Sequence, residues 1–327
     1  MRPAPKVKPL CPPGRPPRFE DVPYAEVTLD SGVRHTLRMD IYQDLNQKEP
    51  GPCIIYYFGG GWMWGEYKQV TQKAVYCRDL VKLVEQGYTI ISPSYRLASQ
   101  SVFPACIHDC KGVVRFLKAN ADIYHINPER IGVLGNSAGG HLAAMVAMSA
   151  DSKEMEGEVG GNLEYSSAVK AAAIFYAPTD IEELIRGGAS KLNGAPKNLT
   201  GTEIDNVASN TIEIEAQILG YTEPEKNLWT LNQVLESGDT TNPEWKYIEL
   251  ARKCSPVHYA SENCPPIIIM HGGQDPIVPI EQSEMLYKAL VEAEADATYL
   301  SCSYAGHGPS MGKAADDLAF RFLTDRL

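Results

Sequence analysis

Short apolar runs alternate along this chain with longer stretches whose apolar positions recur at helical spacing. The short runs read as strands over 53–58, 88–91, 131–134, 169–176, 266–271 and 298–302. The longer ones read as helices over 70–86, 104–121, 138–149, 280–293 and 311–325, and in the second of these Val113, Val114, Phe116 and Leu117 form an apolar stripe. Strands alternating with helices are what crossover units produce, so the pattern predicts a mostly parallel sheet covered on both faces. Two more strand-like segments, 24–29 and 35–42, flank an Asp30-Ser31-Gly32 turn and are expected to open the sheet as an antiparallel pair. That makes eight strands.

One interval breaks the rhythm. Between the strand ending at Tyr176 and the one starting at Pro266 lie about ninety residues, far more than a crossover needs. Polar loop sequence over 193–210 is mixed there with short amphipathic patterns at 212–219, 229–235 and 245–251, so we expect a cap-like helical insertion over about 181–256 within one domain spanning 23–327. Residues 1–22 carry seven prolines and read as an N-terminal arm without regular hydrogen bonding.

Composition narrows the function classes. A chain of 327 residues with 44% hydrophobic content can bury one large core. Its formal net charge of -11 speaks against nucleic acid and anionic lipid as partners. The N-terminal segment lacks the apolar centre of a signal peptide and no later stretch is long enough to span a bilayer, so a soluble cytoplasmic protein is expected, with no membrane partner. The eight cysteines show no metal-ligand spacing and read as free thiols; Cys106 and Cys110 share a helical face, but His108 between them falls on another. No metal or organic cofactor is implied. A monomer and a homo-oligomer are equally compatible with the sequence.

The chemistry is concentrated in four places. Gly135-Asn136-Ser137-Ala138-Gly139 follows an apolar strand and opens a helical pattern, the context of a Gly-x-Ser-x-Gly nucleophile elbow with Ser137 at the apex. The motif alone recurs by chance in roughly one chain in ten of this length, so its context has to carry the claim. An earlier strand ends in Phe58-Gly59-Gly60-Gly61-Trp62, where bare backbone approaches a ligand closely; Gly60 and Gly61, with Ala138, are the candidate oxyanion-hole donors, against the plainer reading of a flexible loop. Asp275 lies on the loop after the strand 266–271, and His307 sits between glycines after the last strand. The order Ser, Asp, His is the one α/β-hydrolases use for nucleophile, orienting acid and base.

Competing residues have plainer roles. His271 precedes the acid, which is the wrong order for the base, and is expected to brace the acid loop. His141, one turn beyond Ser137, reads as structural or pocket-lining. Asp180, after the strand that follows the elbow, is the reserve carboxylate and otherwise a turn or helix-cap residue. Trp62, Met63 and Trp64 are candidates for an apolar or sugar-stacking substrate wall, with core packing the alternative.

With these motifs, Ser94-Tyr95-Arg96-Leu97, Phe103-Pro104-Ala105 and Asn127-Pro128-Glu129-Arg130-Ile131-Gly132, the chain resembles the hormone-sensitive-lipase-like and feruloyl-esterase-like branch of the α/β-hydrolases over nearly its whole length. The resemblance implies the α/β-hydrolase fold and a serine carboxylesterase, lipase-like in machinery, that hydrolyses small acyl or carbohydrate esters through an acyl-enzyme. It departs at Phe58, where the family usually has a histidine thought to hold the glycine loop, so here the loop must be held otherwise. Two rivals stand beside this reading: an amidase or arylformamidase-type hydrolase, and a non-catalytic ligand-binding protein on the same scaffold.

Overall fold

The computed structural model describes residues 18–44, 46–68, 79–193, 213–223 and 225–327, with 188–193 as backbone. Eight strands form one sheet: β1 (Phe19–Thr28), β2 (Arg34–Tyr42), β3 (Gly51–Tyr57), β4 (Thr89–Pro93), β5 (Ile126–Asn136), β6 (Ala171–Phe175), β7 (Ile267–Gly272) and β8 (Ala297–Cys302). Their spatial order is β1-β2-β4-β3-β5-β6-β7-β8. β1 pairs antiparallel with β2 and β2 antiparallel with β4; every other pair is parallel. All eight expected strands are present. β1 begins at Phe19 rather than 24, so the last residues assigned to the N-terminal arm are strand; residues 1–17 lie outside those described.

Burial explains the two kinds of strand sequence. β3, β6 and β7 are buried along their whole length because helices cover both faces, which is why they read as unbroken apolar runs. β1 alternates buried and exposed positions, as an edge strand with one wet face does. The helices that matter here are α1 (Ala105–Ala119), α2 (Ala138–Met148), α3 (Ile181–Asn193), α4 (Ile214–Leu219), α5 (Leu228–Ser237), α6 (Trp245–Lys253), α7 (Glu281–Glu292) and α8 (Lys313–Thr324). α2 is buried at every position, in keeping with a sequence that is apolar on all sides.

Two expectations change. The helix over 70–86 lies outside the described residues as far as 78, and Leu80–Gln86 is a 3-10 helix, a short connector that Gly87 stops in a left-handed conformation (φ 85°). The interval between β6 and β7 begins with α3, which its polar sequence and Gly187-Gly188 concealed. Its signal was present: Asp180 Oδ1 accepts the Glu183 amide (3.0 Å), and Ile181, Leu184 and Ile185 are buried at helical spacing. Most of the expected polar loop at 193–210 lies outside the described residues. α4, α5 and α6 stand where the amphipathic patterns were. The interval departs and returns at one place, where the Val257 amide donates to the Thr179 carbonyl (3.2 Å) and the Ile181 amide to Ser255 Oγ (2.8 Å). Among the described residues no helix is long and apolar enough to cross a membrane.

Candidate active site

The parallel strands point their carboxyl ends to one edge of the sheet. β3 has β4 on one side and β5 on the other, so the loops leaving β3 and β5 diverge and open a crevice there, the usual ligand position in such sheets. Ser137 stands at the end of β5. Its backbone (φ 54°, ψ -127°) is one that non-glycine residues rarely adopt, and its amide is tied to the Phe175 carbonyl on β6 (2.9 Å). The turn is possible only because its flanks are glycine. A methyl group on Gly135 would lie 2.0 Å from the Gly139 carbonyl oxygen, and one on Gly139 would lie 2.1 Å from that of Tyr57.

The other predicted residues converge on this serine. His307 Nε2 is 3.1 Å from Ser137 Oγ, and His307 Nδ1 is 2.7 Å from Asp275 Oδ2. The Asp275 side chain is fully buried. Burial by itself would raise its pKa, but hydrogen bonds from His271 and His307, the charge of His307 and the Ile277 amide together outweigh burial and hold the carboxyl well below its usual range. The amides of Ile277 and Val278 donate to Oδ1 (2.8 and 2.9 Å), leaving Oδ2 for the histidine. His271 braces this loop as expected, with Nδ1 at 2.7 Å from Ser283 Oγ and Nε2 at 3.0 Å from the Val278 carbonyl and 3.3 Å from Asp275 Oδ2. Asp180 is not in the group; it caps α3.

The glycine loop lies directly against the elbow. A methyl on Gly59 would be 3.3 Å from Ser137 Cβ and 2.7 Å from the Asn136 carbonyl. Gly60 (φ 122°), Gly61 (φ 58°) and Trp62 (φ 58°) turn left-handed in succession, and the Gly60 carbonyl is occupied by the amides of Met63 and Trp64 (3.0 Å each). Ala138 is the first residue of α2, so its amide is one of those a helix start leaves without an intrahelical acceptor.

The structure also shows what holds the loop where Phe58 replaces histidine. The Phe58 ring stacks on Tyr95 (centroids 4.3 Å apart, 19° between planes), and Tyr95 Oη donates to the Phe58 carbonyl (2.8 Å). Tyr95 is in turn fixed by its neighbour Arg96, whose Nε and Nη2 grip the buried carboxylate of Asp109 on α1 (2.9 and 2.7 Å). The Ser94-Tyr95-Arg96-Leu97 motif thus props the loop from below.

The expected substrate wall needs correction at Trp62. Its side chain is 1% exposed and its indole Nε1 donates to His141 Nδ1 (3.2 Å), so it is a core group and lines no open surface. Trp64 is 49% exposed and Met63 half-buried. One neighbour went unnoticed in the sequence: Ile214, at the start of α4, whose Cδ1 would lie 3.2 Å from a methyl on Gly61, with Trp64 Cζ3 at 3.5 Å. Only the fold could reveal it, since an isoleucine in an amphipathic segment carries no functional signal. Cys106 and Cys110 are buried free thiols, and His108 turns away to the Glu154 carbonyl (2.9 Å).

Sheet order, elbow and the residues gathered around it define an α/β-hydrolase. The profile of the BD-FAE family matches residues 39–223 and 221–290, and the chain belongs to that family. It is 26% identical over 261 residues to the protein named Esterase LipC of Mycobacterium tuberculosis, covering 80% of this chain and 53% of that one. With Esterase LipQ of the same organism it shares 27% over 291 residues, covering 88% and 56%. The chain thus spans about half the length of these curated relatives. Among solved structures, a truncated carbohydrate esterase from gut microbiota superposes with a TM-score of 0.70 at 26% identity over 94% of this chain and 95% of that one. A propionate-bound Est2 esterase from Thermogutta terrifontis shares the fold, with a TM-score of 0.60 at 24% identity over 93% and 94%.

Proposed function

We propose that this protein is a serine esterase that hydrolyses small acyl or carbohydrate esters through an acyl-enzyme, with Ser137 as nucleophile, His307 as base and Asp275 as orienting acid. The observation that carries the proposal is the unbroken chain of contacts from Ser137 Oγ through His307 to Asp275 Oδ2. In this reading His307 Nε2 takes the hydroxyl proton as Oγ attacks the ester carbonyl, and the amides of Gly60, Gly61 and Ala138 receive the charge that develops on the carbonyl oxygen. The imidazolium then protonates the departing alcohol. Water, deprotonated by the same ring, attacks the acyl-enzyme and releases the acid. Asp275 keeps the proton on Nδ1 so that Nε2 can accept, and stabilises the imidazolium.

The substrate class is supported by the gut carbohydrate esterase that superposes over nearly the full length of both chains. The helices of the interval from 181 to 256 form, in this proposal, a cap on the site, supported by the approach of Ile214 to Gly61. The six free thiols among the described residues accord with a reducing cytoplasmic setting, which we keep as part of the proposal. Labelling with a fluorophosphonate probe, followed by rates on matched ester and formamide substrates, tests the reading. Probe capture at Ser137 with faster ester turnover supports it. Faster formamide turnover would favour the amidase alternative, and no labelling the binding protein.

A further inference from the structure

His141 is a buried polar group that the proposed chemistry does not use. It lies one turn into α2 with both ring nitrogens engaged: Nδ1 with the indole Nε1 of Trp62 (3.2 Å) and Nε2 with the backbone carbonyl of Cys254 (2.7 Å). An indole N–H can only donate, so Nδ1 accepts and the ring's proton sits on Nε2, donated to Cys254. The two rings meet edge to face, their centroids 5.1 Å apart at 89°. The histidine is fully buried, and that burial drives its pKa down to about 4, even though the bond to Cys254 acts in the opposite sense.

Trp62 is the residue through which this ring reaches the glycine loop. It follows Gly59-Gly60-Gly61 directly, and its positive φ is a conformation that bulky residues hold only where the surroundings impose it. Two such constraints are present: the Trp62 carbonyl accepts the Ala98 amide (2.8 Å), and the indole N–H is taken by His141. At the other end of the loop Tyr95 fixes the Phe58 carbonyl. We infer that His141 is a positioning residue, which holds the loop in the turn that aims the Gly60 and Gly61 amides at the reacting carbonyl by accepting the Trp62 indole N–H. The same ring ties the loop to Cys254, where α6 ends. The inference rests on the esterase reading of Ser137.

The test is a double-mutant cycle on the full chain with p-nitrophenyl acetate. Trp62→Phe keeps an aromatic ring and removes only the donor; His141→Leu keeps bulk and removes the acceptor. Each is expected to lower kcat by about ten- to a hundred-fold with KM within about two-fold, a fraction of what deleting an oxyanion donor outright costs. The double variant should fall no further than the worse single one, since both lose the same bond. His141→Gln, which retains an acceptor and a donor, should recover most of the rate, and it replaces His141→Leu if that variant does not fold. Unchanged kcat in folded Trp62→Phe, losses that multiply in the double variant, or parallel changes in kcat and KM would overturn the inference. Absence of turnover in the unmodified protein, or full turnover in Ser137→Ala, would instead overturn the esterase reading.

Discussion

The imidazole of His307 stands 3.1 Å from the hydroxyl of Ser137 although 170 residues separate them in the chain. The contact is made because β5 and β8 end at the same edge of one sheet, with β6 and β7 between them. As the proposed nucleophile, Ser137 should not be replaceable by alanine. Ser137→Ala is expected to lower kcat for p-nitrophenyl acetate at least about 10⁴-fold, and stopped-flow or steady-state rates near those of wild type would refute its role.

Asp275 should act through the tautomer it enforces. Asp275→Asn is expected to cost about 10⁴-fold in kcat while leaving the fold intact, as in other triads where the amide stabilises the wrong tautomer. Because its carboxyl is held well below the usual range, Asp275 is ionised at neutral pH. Its contribution to stability is present above the unfolded carboxyl value of 3.8 and is lost as pH falls through the lower folded value. Urea titrations of wild type and Asp275→Asn should therefore differ in slope against pH only in strong acid.

His141 makes a proton linkage of the same sign at milder pH. Its folded pKa of about 4 lies below the ordinary imidazole value of 6.5, so as pH falls the unfolded chain takes the proton first. Stability contributed by this site is complete above about pH 6.5, declines between there and about pH 4, and is level below, a total of roughly 3 kcal/mol. Comparing urea midpoints of wild type and His141→Gln across that window isolates the contribution of this proton. Parallel curves for the two proteins would contradict it.

Ile214 should influence which acyl groups are accepted. In the proposed mechanism the leaving alcohol takes its proton from His307, which would place the alcohol half of the ester towards the β7 and β8 loops and the acyl half towards the β3 loop, where Ile214 and Trp64 lie next to Gly61. Ile214→Ala is expected to raise kcat/KM for p-nitrophenyl butyrate relative to acetate by about ten-fold, the effect of a methylene or more of added room. An unchanged ratio in the folded variant would remove Ile214 from the acyl side.

Gly139 offers a stability test free of catalytic assumptions. An alanine there would drive its methyl to 2.1 Å from the Tyr57 carbonyl and 2.5 Å from that of Phe58, both backbone atoms that cannot swing aside. Gly139→Ala should destabilise by at least about 3 kcal/mol, measured by thermal or urea unfolding. A variant as stable as wild type would mean the elbow has more room than the structure shows.

The sequence by itself determined the eight strands and the approximate limits of most helices, because burial on both faces or on one leaves a direct imprint on apolar spacing. It also placed Ser137, Asp275 and His307 in strand-end contexts whose order in the chain already matched one fold. Tertiary structure decided what periodicity cannot encode. Trp62 looked like part of a substrate wall, yet it is core, because only packing determines which side of a loop an aromatic ring takes. His141 gained its partners, Trp62 and Cys254, from distant segments, and Ile214 its place beside Gly61 from the way the interval after β6 folds back. Local sequence records how a residue sits in its own element; which elements meet, and therefore which side chains share a site, is set by the packing of the whole chain.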